Sequence, residues 1–128
     1  IFASEDSAVE HEDPESWQAL KDHKLIGATG VLSQLPAFRR LERDFADRVV
    51  TRSDDLTAMS YLVEAGQGLA LLPDDQSRPG IRRMFTVEQG AISQLWLLTH
   101  PDLRNVERIK LVMQHLAQAF SAEWPSAN

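Results

Sequence analysis

The chain contains no cysteine. That excludes a disulfide framework, a thiolate metal site and a cysteine nucleophile, and it fits the cytosol as well as many periplasmic proteins. No apolar run approaches the roughly 20 residues that span a bilayer as a helix. Basic residues are in deficit, 13 against 19 acidic, for a net charge of -6, so this surface is not one built to hold nucleic acid. There is no G-x-S-x-G nucleophile elbow, and Gly66-Gln67-Gly68 follows a helical pattern instead of opening one, so no phosphate loop is present either. The expectation is a protein that is not an enzyme and that needs no cofactor. No internal repeat or low-complexity tract appears. No positive-then-apolar leader follows Ile1, so the chain is expected to begin inside a larger protein.

What is present is an ordinary globular composition, 43% hydrophobic and 25% charged over 128 residues, enough for one core. The most informative stretch is Ser53 to Pro73, SDDLTAMSYLVEAGQGLALLP. Leu56, Met59, Leu62 and Val63 have the spacing of a helix with one buried face, with Asp54 expected as its cap. Gly66 stands where a left-handed C-terminal cap is wanted. Leu69 to Leu72 then reads as a strand covered on both faces, closed by Pro73.

Upstream, Ile1-Phe2-Ala3 reads as a strand. Residues 4 to 16 are polar and acidic. Asp13-Pro14-Glu15-Ser16 is a good helix start that makes Trp17 and Leu20 a buried side. Lys24 to Ala28 reads as a strand, Thr29 to Ser33 as a turn, and about Leu35 to Phe45 as a helix burying Phe38, Leu41 and Phe45. A strand over 48 to 52 leads into the central helix. Downstream, Asp74 to Gly80 is loop, Ile81 to Val87 a strand, Glu88-Gln89-Gly90 a turn, and Ser93 to Thr99 a longer strand. Leu103, Val106, Ile109, Met113, Leu116, Phe120 and Trp124 recur at helical spacing. The alternation of strands and helices predicts an α/β fold with a parallel sheet.

Two turns qualify as a binding edge, because the carboxyl ends of strands facing helix starts are where open α/β sheets take ligands. One is Thr29-Gly30-Val31-Leu32-Ser33. The other is Ser53-Asp54, where Arg52 is the base nearest to hand for an anion. Arg39-Arg40-Leu41-Glu42-Arg43 reads as i, i+4 pairs on a wet helix face. Glu10-His11-Glu12-Asp13 has metal-ligand residue types without a second cluster, so no metal site is expected. Trp17, Trp96 and Trp124 are expected as core or edge-packing residues.

Several of these segments together resemble the effector-binding domain of LysR-type transcriptional regulators. They are the order strand, Ser-Asp-Asp, helix, Glu64-Ala65-Gly66-Gln67-Gly68-Leu69-Ala70-Leu71-Leu72-Pro73, then Leu95-Trp96-Leu97-Leu98-Thr99-His100-Pro101 and the final helix. Ile1-Phe2-Ala3-Ser4, Trp17-Gln18-Ala19-Leu20 and His23-Lys24-Leu25-Ile26-Gly27 are similar to that domain's entry into its second lobe.

The resemblance implies a type 2 periplasmic-binding-protein-like fold with a mostly parallel sheet flanked by helices, truncated on the N-terminal side. Residues 1-100 would be the second lobe with the crossover strands, and 101-128 a helix that belongs with the first lobe. It implies a small-molecule effector, such as a small organic acid, contacting Thr29, Gly30, Val31, Ser33, Ser53 and Asp54. It also implies a dimer or tetramer, contact with DNA only through a helix-turn-helix outside these residues, no membrane, and a cytoplasmic setting. The alternatives are a fragment of a periplasmic solute-binding protein and an oligomerisation module that binds no ligand. Seven apolar side chains on the last helix represent on the order of 10 kcal/mol of burial, so that face is expected to be covered by this lobe or by a second copy.

Overall fold

The structure is a computed structural model in which residues 1–6, 13–87 and 96–123 are described. Five strands form one mixed sheet: β1 (Phe2–Ser4), β2 (Leu25–Ala28), β3 (Val49–Ser53), β4 (Leu69–Ala70) and β5 (Ile81–Arg83). Three α-helices accompany them: α1 (Pro36–Phe45), α2 (Leu56–Glu64) and α3 (Glu107–Glu123). The sheet order is β3-β2-β4-β1-β5. β2 pairs in parallel with both β3 and β4, while β1 is antiparallel to β4 and to β5. Four strands therefore run one way and β1 opposes them. The sheet is mostly parallel, as expected, with β1 the exception: no α-helix among the described residues connects β1 to β2, and an α-helical crossover is what usually fixes a parallel direction.

The centre of the sheet is dry on both sides. Leu25 and Ile26 are adjacent on β2, so they point to opposite faces, and both are fully buried. α1 packs on β2 through Phe38 and Leu41, and α2 spans β1, β3 and β4 with Met59 and Val63 in the core. β1 adds Phe2 and Ala3 to the same core, and β4 adds Leu69 and Ala70.

α2 has the start and stop that its sequence foretells, with one change. The cap is Asp55, whose carboxylate accepts the Ala58 amide at 2.7 Å, and not Asp54. Ser53 decides this: its hydroxyl accepts the Asp55 amide at 3.1 Å, which places Asp55 at the extended position before the first helical turn. At the other end Gly66 adopts φ +70, its amide bonds Val63 O at 2.9 Å and the Gln67 amide bonds Leu62 O at 3.0 Å. That pair of bonds is a Schellman closure.

Other elements are shorter than their sequences suggest. The helix expected after Asp13 is a 3-10 turn over Gln18–Asp22. Asp13 does not cap it, because its carboxylate is engaged on both oxygens by the Arg82 guanidinium, 2.7 Å for Nη2 to Oδ1. Trp17 and Leu20 are nevertheless buried. The strands expected over Leu69 to Leu72 and Ile81 to Val87 shrink to two and three residues. Leu71 and Leu72 stay buried without a ladder, just before Pro73. The described part of the strand expected over Ser93 to Thr99, residues 96–99, has no regular structure, and Trp96 is 71% exposed instead of packed. The turn expected at Glu88-Gln89-Gly90, the His11 cluster and Trp124 lie outside the described residues.

The chain divides into two compact units, Ile1–Ile92 and Ser93–Asn128. In the second, α3 carries a half-buried line of Ile109, Met113, Leu116 and Phe120, with Val106 just ahead of it, while Leu111 and Val112 on another side are more than half exposed.

Candidate functional site

β2 is the strand from which the chain moves first to one neighbour, β3, and then across to the other, β4. The carboxyl end of a strand at such a reversal is where open α/β sheets form crevices. At that end the sequence places Thr29 and Gly30. The parallel register sets Ala28 opposite Ser53, so the turns after β2 and β3 emerge side by side. The Thr29 amide donates to Ser53 O at 2.9 Å and joins them. Gly30 has φ +56, a left-handed conformation that suits glycine, and a Cβ there would lie 3.4 Å from the Asp54 Cβ. The two turns are thus in contact through Thr29, Gly30, Ser53 and Asp54.

A concavity of about 660 Å³ opens beside the first turn, bounded by Thr29, Gly30, Ser33, Arg39, Arg43 and Arg52, with Phe38 and Ala28 as its apolar wall. Of the six residues expected from the sequence, Thr29, Gly30 and Ser33 line it. Val31, in the middle of the turn, does not; it is 84% exposed. Ser53 and Asp54 do not line it; Ser53 holds the turn through its carbonyl, which accepts the Thr29 amide.

The two serine hydroxyls are already employed. Ser33 Oγ donates to Gly30 O at 2.7 Å, and Ser53 Oγ donates to Asp55 O at 3.1 Å. Each proton closes a local turn, so these serines hold the backbone in place and offer an approaching group acceptor capacity only. The amides of Gly30 and Val31 donate to no backbone carbonyl among the described residues.

Apart from Arg52 on β3, the charges around the concavity come from α1, whose spacing reads as a solvated helix face. That reading holds for Arg40, an i, i+4 partner of Asp44 at 3.6 Å whose guanidinium also lies 4.3 Å from the Trp17 ring centroid. Arg43 bonds Asp44 at 2.8 Å. The Asp44 carboxyl is held below the usual carboxylate range, first by Arg43 and then by the Trp17 indole N–H at 2.9 Å. Arg52, the base expected to meet an anion, is instead tied to Glu42 at 2.6 Å. Its stem also runs past Gly27, where a Cβ would lie 3.3 Å from Arg52 Cγ and 2.8 Å from Val49 Cγ1. Arg39 is bound to the neutral amide of Gln34. The signal that was available in the sequence is helical spacing: Arg39 and Arg43 are four apart and share one face of α1. That this face borders the turn needed the fold.

Among the described residues no group of three or more His, Cys, Asp or Glu is placed to hold a metal ion, and no helix is long and apolar enough to cross a membrane.

No curated protein and no solved structure matches the chain significantly. A family model described as LysR substrate binding domain matches residues 1–121, nearly the whole length. The chain therefore belongs to the LysR substrate-binding domain family, the periplasmic-binding-protein-like sensor domain of transcription regulators.

Proposed function

We propose that this chain senses a small-molecule effector for a DNA-binding transcription regulator, and that the effector meets the paired turns at the carboxyl ends of β2 and β3. The observation that carries this reading is the junction of Thr29 with Ser53 across the parallel register, at the reversal point of the sheet. It supplies free backbone amides beside a concavity, on the two rigid strands that hold them. No bond of the ligand is made or broken. The effector acts by fitting one arrangement of lobes or subunits better than another, and only that difference in affinity does work.

Residues 1-100 are read as one regulatory lobe and 101-128 as a helix belonging with a companion lobe. DNA is contacted by a helix-turn-helix elsewhere in the regulator, and the protein works in the cytoplasm as a dimer or tetramer. The family match favours this over a transport receptor of similar fold.

A thermal-shift screen of the 128-residue chain against small organic acids tests the reading. Hits are expected to be weak, because a companion lobe supplies the rest of the enclosure, and their NMR shifts are expected at Thr29, Gly30, Ser53 and Asp54. Sub-micromolar binding to this chain alone, or shifts that avoid both turns, would contradict it.

A further inference from the structure

Three arginines border the concavity, and their partners differ in kind. Arg52 is paired with Glu42, and Arg43 with Asp44, a carboxylate it shares with Arg40. Arg39 has no carboxylate partner among the described residues; it donates to Gln34 Oε1. Gln34 Nε2 donates in turn to Ser33 Oγ at 3.2 Å, and Ser33 Oγ donates to Gly30 O at 2.7 Å. A relay of three hydrogen bonds therefore runs from the guanidinium to the carbonyl of the binding turn. Its direction follows from the arginine end: a guanidinium can only donate, so it takes the amide oxygen and leaves the N–H₂ to donate to the hydroxyl.

We propose that Arg39 is the specificity-determining cation of this site, oriented by Gln34 and Ser33 to take the carboxylate of a small organic acid. This rests on the effector-sensing reading above. Arg52 and Arg43 are each held by a carboxylate, and Arg39, the lining guanidinium with none among the described residues, matches a ligand carboxylate in fork geometry. Phe38 and Ala28 give the ligand's apolar remainder a surface. Ser33 acts through Gln34 and is a positioning residue, since its proton is committed to Gly30 O.

The test uses butyrate and its neutral isostere butyramide, titrated into the ¹⁵N-labelled chain and followed at the amides of Thr29, Gly30 and Val31 and at Arg39 Nε–H. Butyrate is expected to bind about fivefold more tightly than butyramide, the scale of an exposed but oriented ion pair. Arg39→Gln is expected to abolish the preference, Arg39→Lys to restore part of it, and Gln34→Leu to reduce it with the cation still present. Arg39 is exposed, so these variants are expected to melt with the parent chain. If butyramide shifts the turn as strongly as butyrate, or Arg39→Gln keeps the preference, the assignment to Arg39 is overturned while the sensing reading stands. If neither compound shifts the turn, both fall.

Discussion

Gly66 and Asp55 show how much a single position carries. Gly66 needs φ +70 and has open space around it, so an added methyl meets no atom and pays only for the left-handed backbone. Gly66→Ala is expected to cost about 1 kcal/mol, read from urea denaturation. Asp55→Ala is expected to cost about 1 kcal/mol by freeing the Ala58 amide, and Asp54→Ala much less in the same assay. The Gly66 cap was legible because few other residues adopt that conformation. The choice between Asp54 and Asp55 was not, since both satisfy the same local preference and Ser53 decides between them through its hydroxyl.

Two other carboxylates set the response to acid. Asp13 is held down chiefly by its hydrogen bonds with Arg82, and Asp44 by those with Arg43 and Trp17. A carboxyl whose folded pKa lies below its ordinary 3.8 contributes stability above that pH and loses it as pH falls through the folded value. Urea midpoints measured from neutral pH down through 3.8 are therefore expected to drop, and Asp13→Asn and Asp44→Asn to flatten the drop. An unchanged acid limb in both variants would refute the linkage.

At the scale of elements, α2 and the strand after it were readable because their apolar spacing and their caps agree. Met59 is fully buried on α2, so Met59→Ala is expected to cost about 2–5 kcal/mol in the same denaturation assay. Gly68 is a tighter case. A Cβ there would sit 2.8 Å from the carbonyl oxygen of Lys24, the same oxygen that accepts the Leu69 amide at 2.9 Å. Gly68→Ala is expected to disturb the β2–β4 pairing, and the measurement is loss of hydrogen-exchange protection at Leu69 beyond that seen for Gly66→Ala. The missing helix at Asp13 has a distant cause. Asp13-Pro14-Glu15-Ser16 has the chemistry of a helix start, but nothing in it shows that Asp13 is engaged by Arg82 on β5. A contact 69 residues away overrides the local preference.

For the molecule as a whole, the second unit raises the question of association. Ile109, Met113, Leu116 and Phe120 are half-buried on α3, while Leu111 and Val112 remain more than half exposed. Apolar surface of that extent on one helix is expected to drive self-association. Sedimentation velocity is expected to show a mass that rises with concentration, and Val112→Glu to lower it; a monomer at all concentrations, with α3 mobile by NMR relaxation, would sink the idea.

By itself the sequence determined the family, the central helix with its glycine closure, the buried faces of α1 and α2, and the two turns worth watching. These rest on spacing and on residues with narrow backbone preferences, which act within a few positions along the chain. Only the tertiary structure decided that β1 runs against its neighbours, that Thr29 bonds Ser53, and that Arg52 is spent on Glu42 while Arg39 faces the concavity. Those outcomes depend on which groups meet across elements: Glu42 lies on α1 and Arg52 on β3, and nothing local in the sequence marks the two as partners.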